Sequence, residues 1–192
     1  MKNAILLHGR PEKAEYYDPT IPSASNAHWF PWLQKQLLIN DIKADTPEVQ
    51  FAFEPQWERW VKEVERFKIG LETILVGHST GAGFWVRYLS ERPDLKVGRV
   101  ILVAPYLDVE KESITEFFDF EIDVDIAART KGLIIFHSDN DGPEMQSTVK
   151  LLRKKLRNFK YKEFHGLGHF THKNLPTDKF PELLEECLKG NP

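Results

Sequence analysis

The sequence predicts a three-layer α/β/α sandwich built on an open, mostly parallel sheet of about six strands. Short runs of β-branched and bulky apolar residues alternate along the chain with stretches of helical period, the pattern left by repeated strand–helix crossovers. Those runs, NAILL at 3–7, ILV at 74–76, RVILV at 99–103 and GLIIF at 132–136, are apolar at successive positions, as strands covered by helices on both faces must be. With 192 residues, 41% of them hydrophobic, the chain can build one substantial core and has no room for a second, so a single domain over 1–192 is expected.

The elements follow in order. The strand at 3–7 ends in His8, Gly9 and Arg10, and a polar connection rich in Pro, Ser and Tyr runs over 11–27. Residues 28–38, HWFPWLQKQLL, place Trp29, Trp32, Leu33, Leu37 and Leu38 at helical spacing, and Trp29 and Phe30 are expected to pack on the sheet rather than to hold a ligand. A short second strand is expected at 41–44, then a helix over 54–67 that turns Trp57, Trp60, Val61 and Val64 inward. The third strand runs into GHSTG, and the helix over 79–91 behind it is stopped by Pro93. Beyond the strand at 99–103, residues 106–129 interleave acidic side chains with Phe117, Phe118, Phe120 and Ile122 without one sustained period. That segment reads either as a small cap over a pocket or as a surface helix and loop. The strand at 132–136 leads into HSDNDGP, and Pro143 opens a helix with an apolar stripe of Met145, Val149, Leu152 and Leu156. A last strand at 160–164 leads into HGLGHF, and a helix over 180–188 closes the chain.

Charge and cysteine content narrow the function classes. A net charge of -3 with mixed signs along most of the chain gives no expectation of nucleic-acid binding, and the basic run at 150–162 reads as the solvated face of a helix. The single cysteine, Cys187, has no internal disulfide partner and lies in an apolar helical pattern, which predicts a buried structural thiol in a reducing compartment. No apolar run reaches membrane-spanning length, and the one at 1–8 is too short for a signal peptide, so a soluble cytoplasmic protein without a membrane partner is expected. The sequence names no protein partner.

The chemistry centres on GHSTG, a G-x-S-x-G motif between strand and helix with Ser79 at its apex. Gly77 and Gly81 stand where side chains would collide with neighbouring backbone in so sharp a turn. The turn leaves the Thr80 N–H at a helix start, where a donor and the helix dipole suit an oxyanion. In α/β-hydrolases the second donor is a backbone N–H just beyond an HG pair after the first strand, here Arg10; His8 reads equally well as a satisfied polar residue beneath that loop. A serine hydroxyl needs a base, and the base needs a carboxylate to hold its tautomer. Asp139 and Asp141 both follow the strand at 132–136 closely enough to reach the crevice, and His169 follows the last strand between Gly168 and Phe170. His78 is expected to be buried rather than catalytic. His165, His169 and His172 are spaced by glycines that oppose a common helix, with no cysteine nearby, so no metal is expected. Serine, then acid, then histidine is the chain order of α/β-hydrolases.

With these residues in place, the chain resembles the small serine hydrolases of the retinoblastoma-binding protein nine and YdeN type, reduced α/β-hydrolases of this length. The resemblance covers essentially the whole chain: HWFPWL at 28–33, PQWERWV at 55–61, GHSTGA at 77–82, the S-x-N-D loop at 138–141 and GLGHF at 166–170. It implies Ser79 as nucleophile, Asp141 as acid and His169 as base, acting without a cofactor on a small acyl substrate, an ester, thioester or amide. The family often carries proline directly after the acid, whereas Gly142 intervenes here before Pro143. The L-x-C-x-E motif that binds pocket proteins is absent around Cys187, so that partner is not implied. The resemblance also admits a protein that keeps fold and triad with little turnover and serves as a binding or scaffold module.

Overall fold

The computed structural model describes residues 2–189. Six strands, β1 (Asn3–Leu7), β2 (Lys43–Asp45), β3 (Thr73–His78), β4 (Arg99–Val103), β5 (Leu133–Ser138) and β6 (Lys160–Phe164), form one parallel sheet in the order β2-β1-β3-β4-β5-β6. The chain steps outward from β1 to β2, then returns to β3 on the other side of β1. The winding therefore reverses between β1 and β3, and a crevice opens beyond the C-terminal ends of these two strands.

Helices cover both faces, and the strand residues alternate between them. Ile5, Leu7, Leu75, Leu102 and Ile135 face α3 (Trp57–Val64), α4 (Thr80–Ser90) and α5 (Pro143–Lys155). Ala4, Leu6, Val76, Ile101 and Ile134 face α2 (Phe30–Ile39) and α6 (Pro181–Leu188). Each Leu or Ile buried this way contributes about 1.5–3 kcal/mol, so two-sided strands commit the sheet to its central layer. Trp29 and Phe30 are fully buried and stacked, with ring centroids 4.2 Å apart, in the packing role expected of them. Cys187 is buried in α6, and burial pushes its thiol pKa up. Among the described residues no helix is long and apolar enough to cross a membrane.

The structure departs from the sequence reading in four places. The connection at 11–27 contains a short helix, α1 (Lys13–Tyr17), and a 3-10 turn at Ala24–Asn26. Because α1 buries no residue, it left no apolar period to read. The helix expected over 54–67 is confined to Trp57–Val64, since Glu54 is instead tied by its N–H to Phe51 O in a tight turn. β5 continues two residues beyond Phe136, through buried His137 and Ser138. Segment 106–129 forms no continuous helix: it contains 3-10 turns at Thr115–Phe118 and Ile126–Arg129. The Arg87 guanidinium donates to the carbonyls of Glu116 and Phe117 while lying 4.1 Å from the Trp57 ring centre, which draws Phe117 down into the core beside Trp60.

The start of α4 packs directly on β1. A Cβ at Gly81 would lie 2.4 Å from the carbonyl oxygens of both Leu7 and His8, which are backbone atoms with nowhere to yield, whereas a Cβ at Gly70 meets nothing within 4 Å. Gly81→Ala is therefore expected to lower stability by about 1–3 kcal/mol, while Gly70→Ala leaves it unchanged or slightly raised. Urea unfolding checks this: equal midpoints for the two variants would refute the close approach.

Candidate active site

Ser79 joins β3 to α4 in a left-handed turn, with φ 56° and ψ -122°. An L-residue held there costs on the order of 1–3 kcal/mol and persists only where its surroundings over-determine it. They do so here through four backbone hydrogen bonds. The Ser79 N–H donates to Val103 O at 2.9 Å, and Ser79 O accepts from the N–H groups of Ala82, Gly83 and Tyr106 at 3.0, 3.1 and 3.2 Å. The residues on either side, His78 and Thr80, are buried, while Ser79 itself is partly exposed.

Because β1 neighbours β3 at the reversal of the sheet, the loop after β1 runs alongside this turn. Gly9 packs so closely that a Cβ there would stand 2.8 Å from Ser79 Cβ and 3.4 Å from Ser79 Oγ. Among the described residues, neither the Thr80 nor the Arg10 backbone N–H is taken by a backbone acceptor, so both remain available as donors. His8 is buried and satisfied, as one of its two sequence readings expected: the Val49 N–H donates to its Nε2 at 3.0 Å, and its Nδ1 donates to Gly9 O at 2.7 Å. Burial lowers its pKa, against the pull of Glu48 and the Gly9 bond.

On the far side of the turn, the loops after β5 and β6 are laced together. The Asp139 N–H donates to Phe164 O at 3.0 Å, the Leu167 N–H donates to Ser138 Oγ at 3.0 Å, and the Gly168 N–H donates to Asn140 Oδ1 at 2.8 Å. Asp139 accepts from the Gly166 N–H at 2.9 Å and from His165 Nδ1 at 2.7 Å. Asp141 accepts from His169 Nδ1, with contacts of 3.0 and 3.1 Å to its two oxygens. The two aspartates that sequence left as alternatives thus meet different histidines. Asp139 and His165 are largely exposed, whereas the Asp141 side chain is 1% exposed and that of His169 27%. Gln146 braces the loop after β5 from α5, donating to the carbonyls of Ser138 and Asp139 at 3.2 and 3.0 Å while its Oε1 accepts from His137 Nε2 at 2.8 Å.

The backbone of His169 is pinned on both sides. Its N–H donates to Asn174 Oδ1 at 3.1 Å, and its carbonyl accepts from His78 Nε2 at 2.7 Å. The rings of His78 and His169 lie 4.8 Å apart, which brings His169 beside the residue preceding Ser79. Among the described residues no hydrogen bond joins Ser79 Oγ to His169. His172 does not join this group; its N–H donates to His28 Nδ1 at 3.2 Å, and the two rings stack. Sequence reasoning missed Gln146, Asn174 and the bond from His78. Each holds chiefly backbone N–H or C=O groups, which any residue offers and which leave no motif. A groove of about 580 Å³ between α5 and β6, lined by Lys150, Arg153 and Tyr161, contains neither Ser79 nor His169.

The family model of the Serine hydrolases matches residues 19–174. YdeN of Bacillus subtilis (strain 168), a hydrolase by provisional name, is 30% identical over 157 residues, which cover 77% of this chain and 80% of YdeN. Among solved structures, the ydeN gene product of B. subtilis superposes with a TM-score of 0.79 at 24% identity, over 96% of each chain. A YdeN-like hydrolase from Pectobacterium atrosepticum gives 0.63 at 18% identity, over 97% of this chain and 91% of its own. With the parallel sheet order, these likenesses identify a reduced α/β-hydrolase fold, and the relatives just described are of the YdeN type.

Two titrations follow from the site's histidines. The hydrogen bond and charge of Asp139 raise the pKa of His165 above its ordinary 6.5, while the Gly166 N–H and His165 lower that of Asp139. In an NMR titration His165 is expected to titrate above 6.5 and to return towards it in Asp139→Asn; an unshifted wild-type value would refute the pair. Burial, reinforced by positive charge on His172, His169 and Lys173, lowers the pKa of His28 from 6.5 to about 4. The unfolded chain then binds this proton first, so His28 withdraws stability as pH falls from about 6.5 towards about 4 and withdraws none above 6.5. Urea midpoints measured from pH 7.5 to pH 4 should fall across that window, less steeply in His28→Gln; identical slopes would refute it.

Proposed function

The chain belongs to the Serine hydrolase family, and from that premise we propose that it cleaves a small ester, thioester or amide through an acyl-enzyme on Ser79, in the manner of a carboxylesterase. The observation that carries the reading is the His169–Asp141 pair. A carboxylate accepts only, so His169 Nδ1 holds the proton and Nε2 keeps its lone pair for use as a base. As the Ser79 hydroxyl attacks the substrate carbonyl, Nε2 takes its proton, and Asp141 stabilises the imidazolium that forms. The Thr80 and Arg10 N–H groups hold the oxyanion. The imidazolium returns the proton to the leaving group; water, deprotonated by the same nitrogen, then attacks the acyl carbon, and the imidazolium gives that proton to Ser79 Oγ as the carboxylic acid departs. Base-to-nucleophile bonds are commonly long before substrate binds and tighten in the complex, which accommodates the missing Ser79–His169 bond.

Segment 106–129 acts in this reading as a small cap within a single domain. The Tyr106 N–H is tied to Ser79 O, and Arg10 Nη1 donates to Ser113 Oγ at 2.8 Å, so both the turn and the oxyanion loop touch it. Asp108 holds the bend of the cap by accepting from the N–H groups of Glu112, Ser113 and Ile114. Burial pushes its pKa up, but these bonds and that from Tyr106 outweigh burial and bring it below the usual range. The missing Ser79–His169 bond also favours a second reading, a binding or scaffold protein of low turnover.

Fluorophosphonate labelling with mass spectrometry separates the two. An adduct on Ser79 is expected in wild type and in Asp139→Asn, absent in Ser79→Ala, and slowed by about 10³–10⁴-fold in His169→Ala and Asp141→Asn. A folded wild-type protein that takes no adduct would overturn the hydrolase reading in favour of binding.

A further inference from the structure

We infer that His8 is a positioning residue for the oxyanion site, its imidazole fixing the Gly9–Arg10 peptide so that the Arg10 N–H is aimed at the nucleophile. The inference rests on the proposed hydrolase reading and adds to it a residue with a separate role.

The two partners of the ring fix its tautomer. A backbone N–H can only donate, so Val49, whose N–H lies 3.0 Å from His8 Nε2, requires that nitrogen to be unprotonated. A neutral imidazole then carries its hydrogen on Nδ1, which is 2.7 Å from Gly9 O and donates to it. That carbonyl and the Arg10 N–H belong to one peptide unit, and no peptide bond among the described residues is cis. In a planar trans peptide the C=O and N–H point in opposite directions. A donor that holds Gly9 O on the His8 side therefore turns the Arg10 N–H to the opposite side. Gly9 itself is pressed against Ser79, within 2.8 Å of Ser79 Cβ for an added Cβ, so a rotation of this peptide is felt at the nucleophile.

The ring has little freedom to release this grip. His8 is 1% exposed and lies 5.7 Å from the ring of Trp60, which is fully buried. Its own carbonyl is clamped against the start of α4 by the close approach at Gly81. Protonation of Nε2 would break the Val49 bond, and burial opposes it. No other side chain among the described residues holds Gly9 O.

Replacement by the two amides separates the two nitrogens. The Asn amide nitrogen overlies Nδ1 and keeps the bond to Gly9, whereas the Gln amide reaches the Nε2 position and keeps only the bond to Val49. With p-nitrophenyl acetate, His8→Asn is expected to stay within a fewfold of the wild-type kcat. His8→Gln and His8→Leu should lose about ten- to a hundredfold in kcat with KM little changed, somewhat less than deletion of an oxyanion donor costs. Equal kcat for the Asn and Gln variants, or losses that follow their melting temperatures, would overturn the positioning role. Crystal structures of His8→Asn and His8→Gln give a readout independent of turnover. A rotated Gly9–Arg10 peptide in the Gln variant alone is expected, and an unmoved peptide overturns the inference even in an active enzyme. If wild-type Ser79 fails to label, the hydrolase reading falls by that result alone, and the peptide geometry still decides whether His8 sets the loop.

Discussion

The structure depends on one strained residue. Ser79 occupies the left-handed region at the point where the sheet's winding reverses, and nothing in its own chemistry favours that conformation. It is imposed by what flanks it: a strand buried on both faces before it, a helix buried along most of its length after it, and glycines at 77 and 81 that let the two pack against each other. The cost of about 1–3 kcal/mol is small against the fifteen buried Val, Leu, Ile and Phe residues of the strands, each contributing a similar amount. A parallel sheet whose core closes can therefore hold a serine in a posture the isolated peptide would abandon, and the hydroxyl projects at the crevice without any loop having to carry it there.

Asp141 and His169, the acid and base of the proposed reaction, are brought together by a different device. β5 and β6 pair in register up to Ser138 and Phe164, where the backbone ladder ends. Beyond that rung the pairing continues through side chains: Asp139 to Gly166 and His165, Ser138 to Leu167, Asn140 to Gly168, and finally Asp141 to His169. The loop SDNDG supplies an acceptor at each of its first four positions, so it behaves as an extension of the sheet rather than as free chain. The exposed Asp139–His165 pair is one rung of this lacing. Its position explains how an aspartate can sit two residues from the buried Asp141 and have a structural part of its own.

Much of this was legible in sequence, and the limits have physical causes. The four central strands announced themselves because burial on two faces demands uninterrupted apolar runs, which the edge strands β2 and β6 lack, and GHSTG did so because only glycine fits beside that turn. β5 was read two residues short because His137 and Ser138 are polar residues buried by hydrogen bonds, and the apolar signal stops at Phe136. Asp139 and Asp141 are the same residue type two positions apart, and only the lacing of the two loops distinguishes their partners. Segment 106–129 takes its shape from Arg87, Asp108 and the packing of Phe117 on Trp60, contacts across the fold that impose no local period. His8 was half legible: an HG pair after a first strand marks the loop, but the donors and acceptors around the ring come from Val49 and Gly9, one of them 41 residues away.

The site also divides its histidines by environment. His8, His28 and His78 all have pKa values lowered, chiefly by burial, so they serve as neutral donors and acceptors. His169 differs in having a carboxylate within hydrogen-bond reach and a side chain open to the crevice. In the proposed reaction it becomes cationic as it takes the Ser79 proton, 4.8 Å from the ring of His78. A charge already present on His78 would oppose that step strongly in so dry a setting. Burial of His78 prevents it, while the proton on its Nε2 still holds the His169 carbonyl in place. The residue that positions the base is thus kept from competing with it, and one buried position in the elbow motif meets both requirements.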